Sequence, residues 1–319
     1  MKLNLTEIRK HVNDEASAYL LLEQLRWPNG PVCPHCDHGK AYFLNPANGT
    51  SRKTNRGTSS QRRVWKCAKC RKQFSVITGT VMHGTKVSIE IWLMVMVQMC
   101  SAKNGISARE IERMHGVTPE TAWFMLHRLR EAMKRDPLVG LLSGTVVSDE
   151  TWIGGNPKNR HANQRQGVQG STEKTPVLSL VNVETGEIRS QVLPTVNARS
   201  LRKAISEQVD MEQSILHTDA ATYYLSVGQE FPKHESVNHS VGEYVRDGVS
   251  TNRAEGFFAQ LKRSINGTHH HVSVEHLPRY LAEFDFRYST CKMQDSERLQ
   301  MMVNQTAGRR LSYKPLTEK

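Results

Sequence analysis

No stretch of this chain is apolar for long enough to cross a bilayer. The best, Ile89 to Cys100, is broken by Gln98 and falls short of the about 20 residues a spanning helix needs. The N-terminal segment MKLNLTEIRKHVNDE lacks an apolar core of signal-peptide type, so a soluble, intracellular protein without membrane partners is expected. No internal repeat occurs beyond a doubled C-x-x-C, which removes solenoids and propellers from consideration. Acid is scarce: 31 Asp and Glu face 43 Lys and Arg, a formal charge of +12. That surplus describes a partner rather than a fold. A polyanion fits, nucleic acid first. An anionic membrane surface comes second, because no long basic amphipathic helix stands out. Hydrophobic residues at 38% of 319 exclude a wholly disordered chain and leave room for two domains or three small ones.

The six cysteines are not a disulfide framework. Cys33-Pro-His-Cys36 and Cys67-Ala-Lys-Cys70 are two tight knuckles thirty residues apart, and Cys100 and Cys291 stand alone as expected inert, buried thiols. Two knuckles bring four thiolates to one point, a cage that suits zinc. Residues 38–73 carry ten Lys or Arg and no Asp or Glu, with strands expected at 40–44, 63–66 and 73–76. This is a zinc ribbon, whose metal holds a segment too small for a core of its own and whose basic surface suits phosphates. His35 and His38 lie nearby, but four cysteines fill the shell.

Apolar spacing near 3.6 predicts a helical lead-in over residues 5–27 and helices over 88–100, 107–114 and 119–134. Gly116 permits a turn between the last two, Thr118 caps the second and Pro119 opens it, which is helix-turn-helix grammar. The second helix would then offer Thr121, Phe124 and Arg128 to a DNA groove. An ordinary helical hairpin reads the same way. After Pro137 and Gly140 the pattern turns to β: strands at 145–153, 177–183, 188–196 and 214–217, then helices at 198–209, 249–265 and 273–288. The expected domains are 1–80 (lead-in and ribbon), 81–140 (helix-turn-helix), 141–303 (an α/β core) and a loose tail, 304–319.

Three acids stand out in the core segment. Asp149 lies in a β-branched strand, Asp219 ends another, and Glu255 sits near the start of a helix, 35 residues beyond Asp219. Lys262, seven residues on, and Asn252, three before, share its face. Hard carboxylate oxygens at this kind of convergence would hold two Mg²⁺ ions, with Mn²⁺ as the alternative, for phosphoryl transfer on DNA. An acid at a strand end is commonplace, so spacing alone leaves this grouping open. Trp152 is expected to pack. His269, His270 and His271 read either as a second metal site or as a polar loop facing phosphate.

The C-terminal half resembles the DDE transposases of bacterial insertion sequences, in their ISXO-type branch. The resemblance rests on Asp149-Glu-Thr-Trp-Ile-Gly-Gly155, His217-Thr-Asp219, Val237-Asn-His-Ser240, Thr251-Asn-Arg-Ala-Glu-Gly-Phe257, Leu261-Lys-Arg263 and Gly267-Thr-His-His-His-Val-Ser273. It spans residues 16 to 290, including the ribbon. It implies a multidomain α+β protein with an RNase H-like catalytic core, Asp149 and Asp219 as Mg²⁺ ligands, Asn252 or Glu255 as the third, and Lys262 on DNA beside Arg263 and His270. It also implies double-stranded DNA partners (terminal inverted repeats and target), a homo-oligomer at synapsis, and a bacterial cytoplasmic, nucleoid-associated site of action. A catalytically inactive DNA-binding regulator and an RNase H-like nuclease or resolvase are the rival expectations.

Overall fold

The computed structural model describes residues 4–44, 53–54, 57–58, 61–134, 140–154, 174–237, 243, 245–246 and 249–317. The chain divides into two compact units, one of residues 1–133 and 293–319, the other of residues 134–292.

The first unit opens with α1 (Leu5–His11) and α2 (Glu15–Arg26). The expected single lead-in splits in two because Asp14 starts a fresh helix. Its carboxylate accepts the Ser17 N–H at 2.8 Å, and its own N–H donates back to Ser17 Oγ at 3.0 Å. The ribbon follows, with β1 (Ala41–Phe43), β2 (Lys53–Thr54), β3 (Gly57–Thr58), β4 (Trp65–Cys67) and β5 (Gln73–Phe74). Strands β1, β4 and β5 form one antiparallel sheet, and β2 pairs with β3. Glu23 fastens this sheet to α2. Its side chain, 8% exposed, accepts from Arg63 Nε at 2.7 Å and from Trp65 Nε1 at 2.8 Å. The Arg63 guanidinium also lies over the Phe43 and Trp65 rings, 4.8 and 5.9 Å from their centroids. Next come α3 (Ile89–Ser101), capped by Ser88 and buried on almost every side, then α4 (Ala108–His115) and α5 (Pro119–Met133). Gly116 closes α4 in the left-handed region at φ 65°, where a glycine avoids the strain of a Cβ.

The second unit is a five-stranded sheet with helices on both faces. Its elements are β6 (Leu142–Ile153), β7 (Thr175–Asn182), β8 (Ile188–Val192), α6 (Ala198–Ser206), β9 (Val209–Asp219), α7 (Tyr224–Gly228), β10 (Lys233–Val237), α8 (Asn252–Ser264) and α9 (Leu277–Ser289). The strand order is β10-β9-β6-β7-β8. The pairs β6–β7 and β7–β8 are antiparallel, and β6–β9 and β9–β10 are parallel. The pleat sorts side chains by parity. Val147, Ile153, Val177 and Val181 face α8 and α9, packing on Phe257, Leu261, Leu281 and Phe284. Val146, Leu178, Leu180 and Leu216 face α6 and α7, packing on Leu201, Ile205, Tyr224 and Val227. Strand β9 is far longer than the expected 214–217, because its polar first half extends beside β6 past a register shift. The short α7 and β10 carry too little pattern to be read from sequence.

After the second unit the chain returns to the first as α10 (Asp295–Gln305) and α11 (Lys314–Thr317). Leu299, Met302 and Val303 are buried, and Arg298 Nη1 donates to the Cys100 carbonyl at 3.0 Å. The structure therefore differs from the expected boundary at residue 303. That apolar stripe belongs with α2 and α3, and the residues beyond it are no loose tail, since Tyr313 sets its ring edge-on to Phe124 at 5.4 Å. Among the described residues no helix is long and apolar enough to cross a membrane. Replacing Glu23 by Ala leaves a buried indole N–H and a guanidinium without their acceptor. We expect a loss of about 2 kcal/mol in the unfolding free energy, measurable by urea denaturation.

Candidate active site and zinc site

The two cysteine knuckles meet. Cys33 Sγ lies 3.7 Å from Cys70 Sγ, and Cys36 Sγ lies 3.6 Å from Cys67 Sγ. All four sulfurs fall within 4.8 Å of one another. A tetrahedral zinc with Zn–S bonds of about 2.3 Å requires edges of about 3.8 Å, so the cage has the right size as well as the right donors. Burial pushes the Cys33 thiol up to about 12. A cation is what would hold it as a thiolate.

The acidic residues are positioned by the sheet. Strands β6 and β9 run parallel with Thr145 opposite Ile215 and Val147 opposite His217. Two residues further along each strand, beyond the last paired residues, stand Asp149 within β6 and Asp219 at the end of β9. Both have the parity of Val147 and so face α8. Glu255 lies in the first turns of α8, with Asn252 opening that helix. Asp149 is half-buried, and its carboxyl is pushed up to about 7. Burial is the main cause. The neighbouring charges of Glu150, Asp219 and Glu255 add to it, and the Glu150 backbone N–H, 2.8 Å from Asp149 Oδ1, opposes it. The Ala221 N–H donates to Asp219 Oδ1 at 3.2 Å. Among the described residues, the four cysteines are the group of three or more ligand-type side chains that all meet within 4.8 Å. The three carboxylates are spread more widely than that, yet near enough for Asp219 and Glu255 to act on Asp149. Lys262 and Arg263 are exposed on α8. A π-helical turn, Ile265–His269, continues that helix, and exposed His270 follows at φ 60°.

Sequence reasoning missed Glu150. The pleat sends it to the face opposite Asp149, where it is 8% exposed. Its carboxylate accepts from the Tyr223 hydroxyl at 3.2 Å and from the Tyr224 hydroxyl in a short bond. Ser148 Oγ lies 2.9 Å from that same Tyr224 hydroxyl. Burial raises the Glu150 carboxyl to about 7, against the lowering effect of the two phenols. Burial also lifts both phenols well above their ordinary range, so they remain donors. The available signal was the dipeptide Asp149-Glu150 in a strand: two adjacent acids on a strand cannot face the same way.

Other expectations are corrected. Arg128 does not face a groove. It is 6% exposed, donates to the His83 carbonyl at 2.6 Å, and stacks over Trp92 and Phe124 at 5.7 and 5.1 Å. Helix α5 is buried from Ala122 to Met133, apart from half-buried Trp123, Phe124 and Glu131, which leaves half-buried Thr121 at its start. Arginine's flat guanidinium allowed it to count as polar in the sequence while lying inside the unit. The three histidines do not act together, since His269 packs against Tyr280 at 4.9 Å while His270 and His271 are exposed. Trp152 is 39% exposed and Cys291 is exposed, against the buried roles expected for them. Asn238, His239 and Ser240, and residues 155–173 of the expected loop, lie outside the described residues.

With this geometry in hand, residues 141–289 match the ISXO2-like transposase domain, and residues 13–73 match the transposase zinc-ribbon domain. An uncharacterized protein in transposable element ISH50 of Halobacterium salinarum is 27% identical over 301 residues, 91% of this chain and 96% of its own. A chain in the cryoEM structure of the simian T-cell lymphotropic virus intasome in complex with PP2A regulatory subunit B56 gamma is 14% identical, with a TM-score of 0.27. That match covers 55% of this chain and 63% of the other, less than two thirds of its length. Two transposase family models in chain order and a relative from a transposable element support the ISXO-type DDE transposase family of insertion sequences.

Cys67→Ser should lose the bound zinc, as read by elemental analysis of the purified protein. The acidic residues make a second prediction. Folded Asp149 and Glu150 hold protons up to about pH 7, against about pH 4 for unfolded carboxyls. Their contribution to stability is therefore present below about pH 4 and is lost as the pH rises through about 7. In magnesium-free buffer the melting temperature should fall over that interval, and Asp149→Asn should flatten the fall.

Proposed function

We propose that the protein binds the terminal inverted repeats of its element and performs Mg²⁺-dependent strand cleavage and strand transfer on DNA. The observation that carries this reading is the action of the Asp219 and Glu255 charges on the Asp149 carboxyl, two residues beyond the last parallel pairing of β6 with β9. The strand order supports an RNase H-like core: three antiparallel strands, then two parallel to the first.

The donor set fits hard divalent cations, because every candidate ligand is a carboxylate oxygen. When bound, such ions would activate an attacking water or 3′-hydroxyl and stabilise the leaving oxygen. Asp149, half-buried on β6, would be their first ligand. Asp219 and Glu255 flank it, and Glu255 outranks Asn252 as third ligand by its charge. Lys262, two turns along α8, grips a phosphate of the bound strand. Arg263 and His270 extend that contact. In the first unit, DNA contact falls to the basic ribbon side chains and to Thr121, with Arg128 excluded by its burial. Joining two element ends calls for at least two copies of the chain.

Asp149→Ala and Asp219→Ala should each lower cleavage of DNA bearing the element's own ends by about a thousandfold or more, about 4 kcal/mol of barrier. Both should still shift that DNA in a gel. Wild-type cleavage by either variant would remove the catalytic assignment. Supplying pre-cleaved ends tests joining separately, and cleavage without joining would make the protein a nuclease.

A further inference from the structure

Glu150 poses a physical problem that the metal-ligand reading does not solve. It lies on the face that packs against α6 and α7, directly across from Leu178 and bonded to Tyr224. A leucine there would avoid the cost of burying a carboxylate. The pleat also bars its side chain from reaching the α8 face where Asp149 and Asp219 stand. What the carboxylate does have is two phenol donors, and those phenols sit four and five residues after Asp219, at the entrance to α7.

The bonds therefore form a chain that leads from Asp219 to Asp149. From Asp219 the chain turns back, pinned by the Ala221 N–H on Asp219 Oδ1 at 3.2 Å. It reaches Tyr223 and Tyr224, and both hydroxyls donate to Glu150. The Glu150 backbone N–H in turn donates to Asp149 Oδ1 at 2.8 Å. The same face steadies β9 a second time. Thr218 Oγ1 donates to the Asp219 carbonyl at 2.7 Å and sits 2.9 Å from His234 Nε2. Gly228 leaves room for that imidazole, since a Cβ there would fall 2.0 Å from His234 Nδ1. Past Val147 and His217 no further register pairs tie β6 to β9. At the very residues that matter, side-chain bonds span the gap where the ladder has stopped.

We propose that Glu150 is a positioning residue, which, held by Tyr223 and Tyr224, ties the segment after Asp219 to the strand carrying Asp149 and so fixes the spacing of the two aspartates for divalent cations. This rests on the reading of Asp149 and Asp219 as metal ligands. The brace acts through the backbone and touches neither cation nor DNA. Its loss should spread the aspartates and weaken metal binding without unfolding the sheet, since the apolar packing around it remains.

The test is Mn²⁺ titration of the full-length protein, followed by electron paramagnetic resonance, alongside thermal melting. Glu150→Leu should melt at or above the wild-type temperature yet bind Mn²⁺ about 10-fold to 100-fold more weakly, the range for lost outer-shell partners of metal ligands. The Tyr223→Phe, Tyr224→Phe double variant keeps the carboxylate and removes the grip. It should weaken Mn²⁺ in the same direction, and it decides the matter should Glu150→Leu fail to fold. Glu150→Gln, which can still accept a phenol proton, should fall between wild type and Glu150→Leu. A purely structural role predicts altered melting with Mn²⁺ affinity within about twofold of wild type, and that result in the double variant overturns the brace. Asp149→Ala separates the two levels. If it abolishes tight Mn²⁺ binding while the brace variants leave it intact, only the brace fails; if Asp149→Ala also leaves binding intact, the metal-ligand reading fails with it.

Discussion

Period-two alternation at the carboxyl end of β6 is the constraint on which the second unit turns. It sends Asp149 to one face and Glu150 to the other within a single peptide, so one strand end serves two different environments. On the α8 face, Asp149 meets Asp219 and the charge of Glu255, and carboxylates gathered there repel one another. On the α7 face, Glu150 is buried and answered by two hydroxyls. Both carboxyls are raised to about 7, by the same first cause and different second ones. For Asp149 the neighbours aggravate burial, which is the condition that a cation relieves. For Glu150 the charge of Asp219 also adds to burial, while the two phenols oppose it.

The ribbon in the first unit faces the opposite difficulty, too little apolar matter rather than too much charge. The ribbon sheet has three short strands and cannot supply a core alone. Its order comes from the four-sulfur cage and from Glu23, whose two oxygens answer an indole and a guanidinium at once. The clamp gains from geometry. Arg63 is held by the carboxylate along its edge and by Phe43 and Trp65 across its face, so its rotamer freedom is already spent. Metal site and clamp both draw on β4, where Trp65 and Cys67 stand two residues apart.

Much of this was legible in the sequence where a pattern repeats or a residue type is chemically narrow. The knuckles Cys33–Cys36 and Cys67–Cys70 allow little besides a tetrahedral site, and the structure closes it. The neighbouring strands β7 and β8, the long apolar α3 and the strand carrying Asp149 each follow from periodicity. What escaped had no period to show. Helix α7 has five residues and strand β10 five, too few for either rhythm. The return of α10 to the first unit is set by contacts almost 200 residues away in sequence, such as Arg298 on Cys100. Arg128 misled because a charge was taken for a surface, when its planar head was filling space between two rings.

That last point bears on how the chain's positive charge can be used. Affinity for DNA counts the phosphates actually neutralised, not the formal charge. Arg26 and Arg128 direct their guanidinium groups at backbone carbonyls, as does Arg189, and Arg287 is paired with buried Glu283 at 2.7 Å. These cations cannot shed counterions from a duplex, so the surplus of +12 overstates the contacts available. The exposed cations on α8 matter more on the proposed reading. Lys262 is seven residues beyond Glu255, and at about 1.5 Å of rise per residue it stands about 10 Å along the helix. With a phosphate every 3.4 Å or so of duplex axis on each strand, a helix laid parallel to that axis would span about three nucleotides over this distance. A phosphate held at that distance fixes the direction of the strand across the carboxylates, a task that a cation adjacent to the reacting phosphate could not perform.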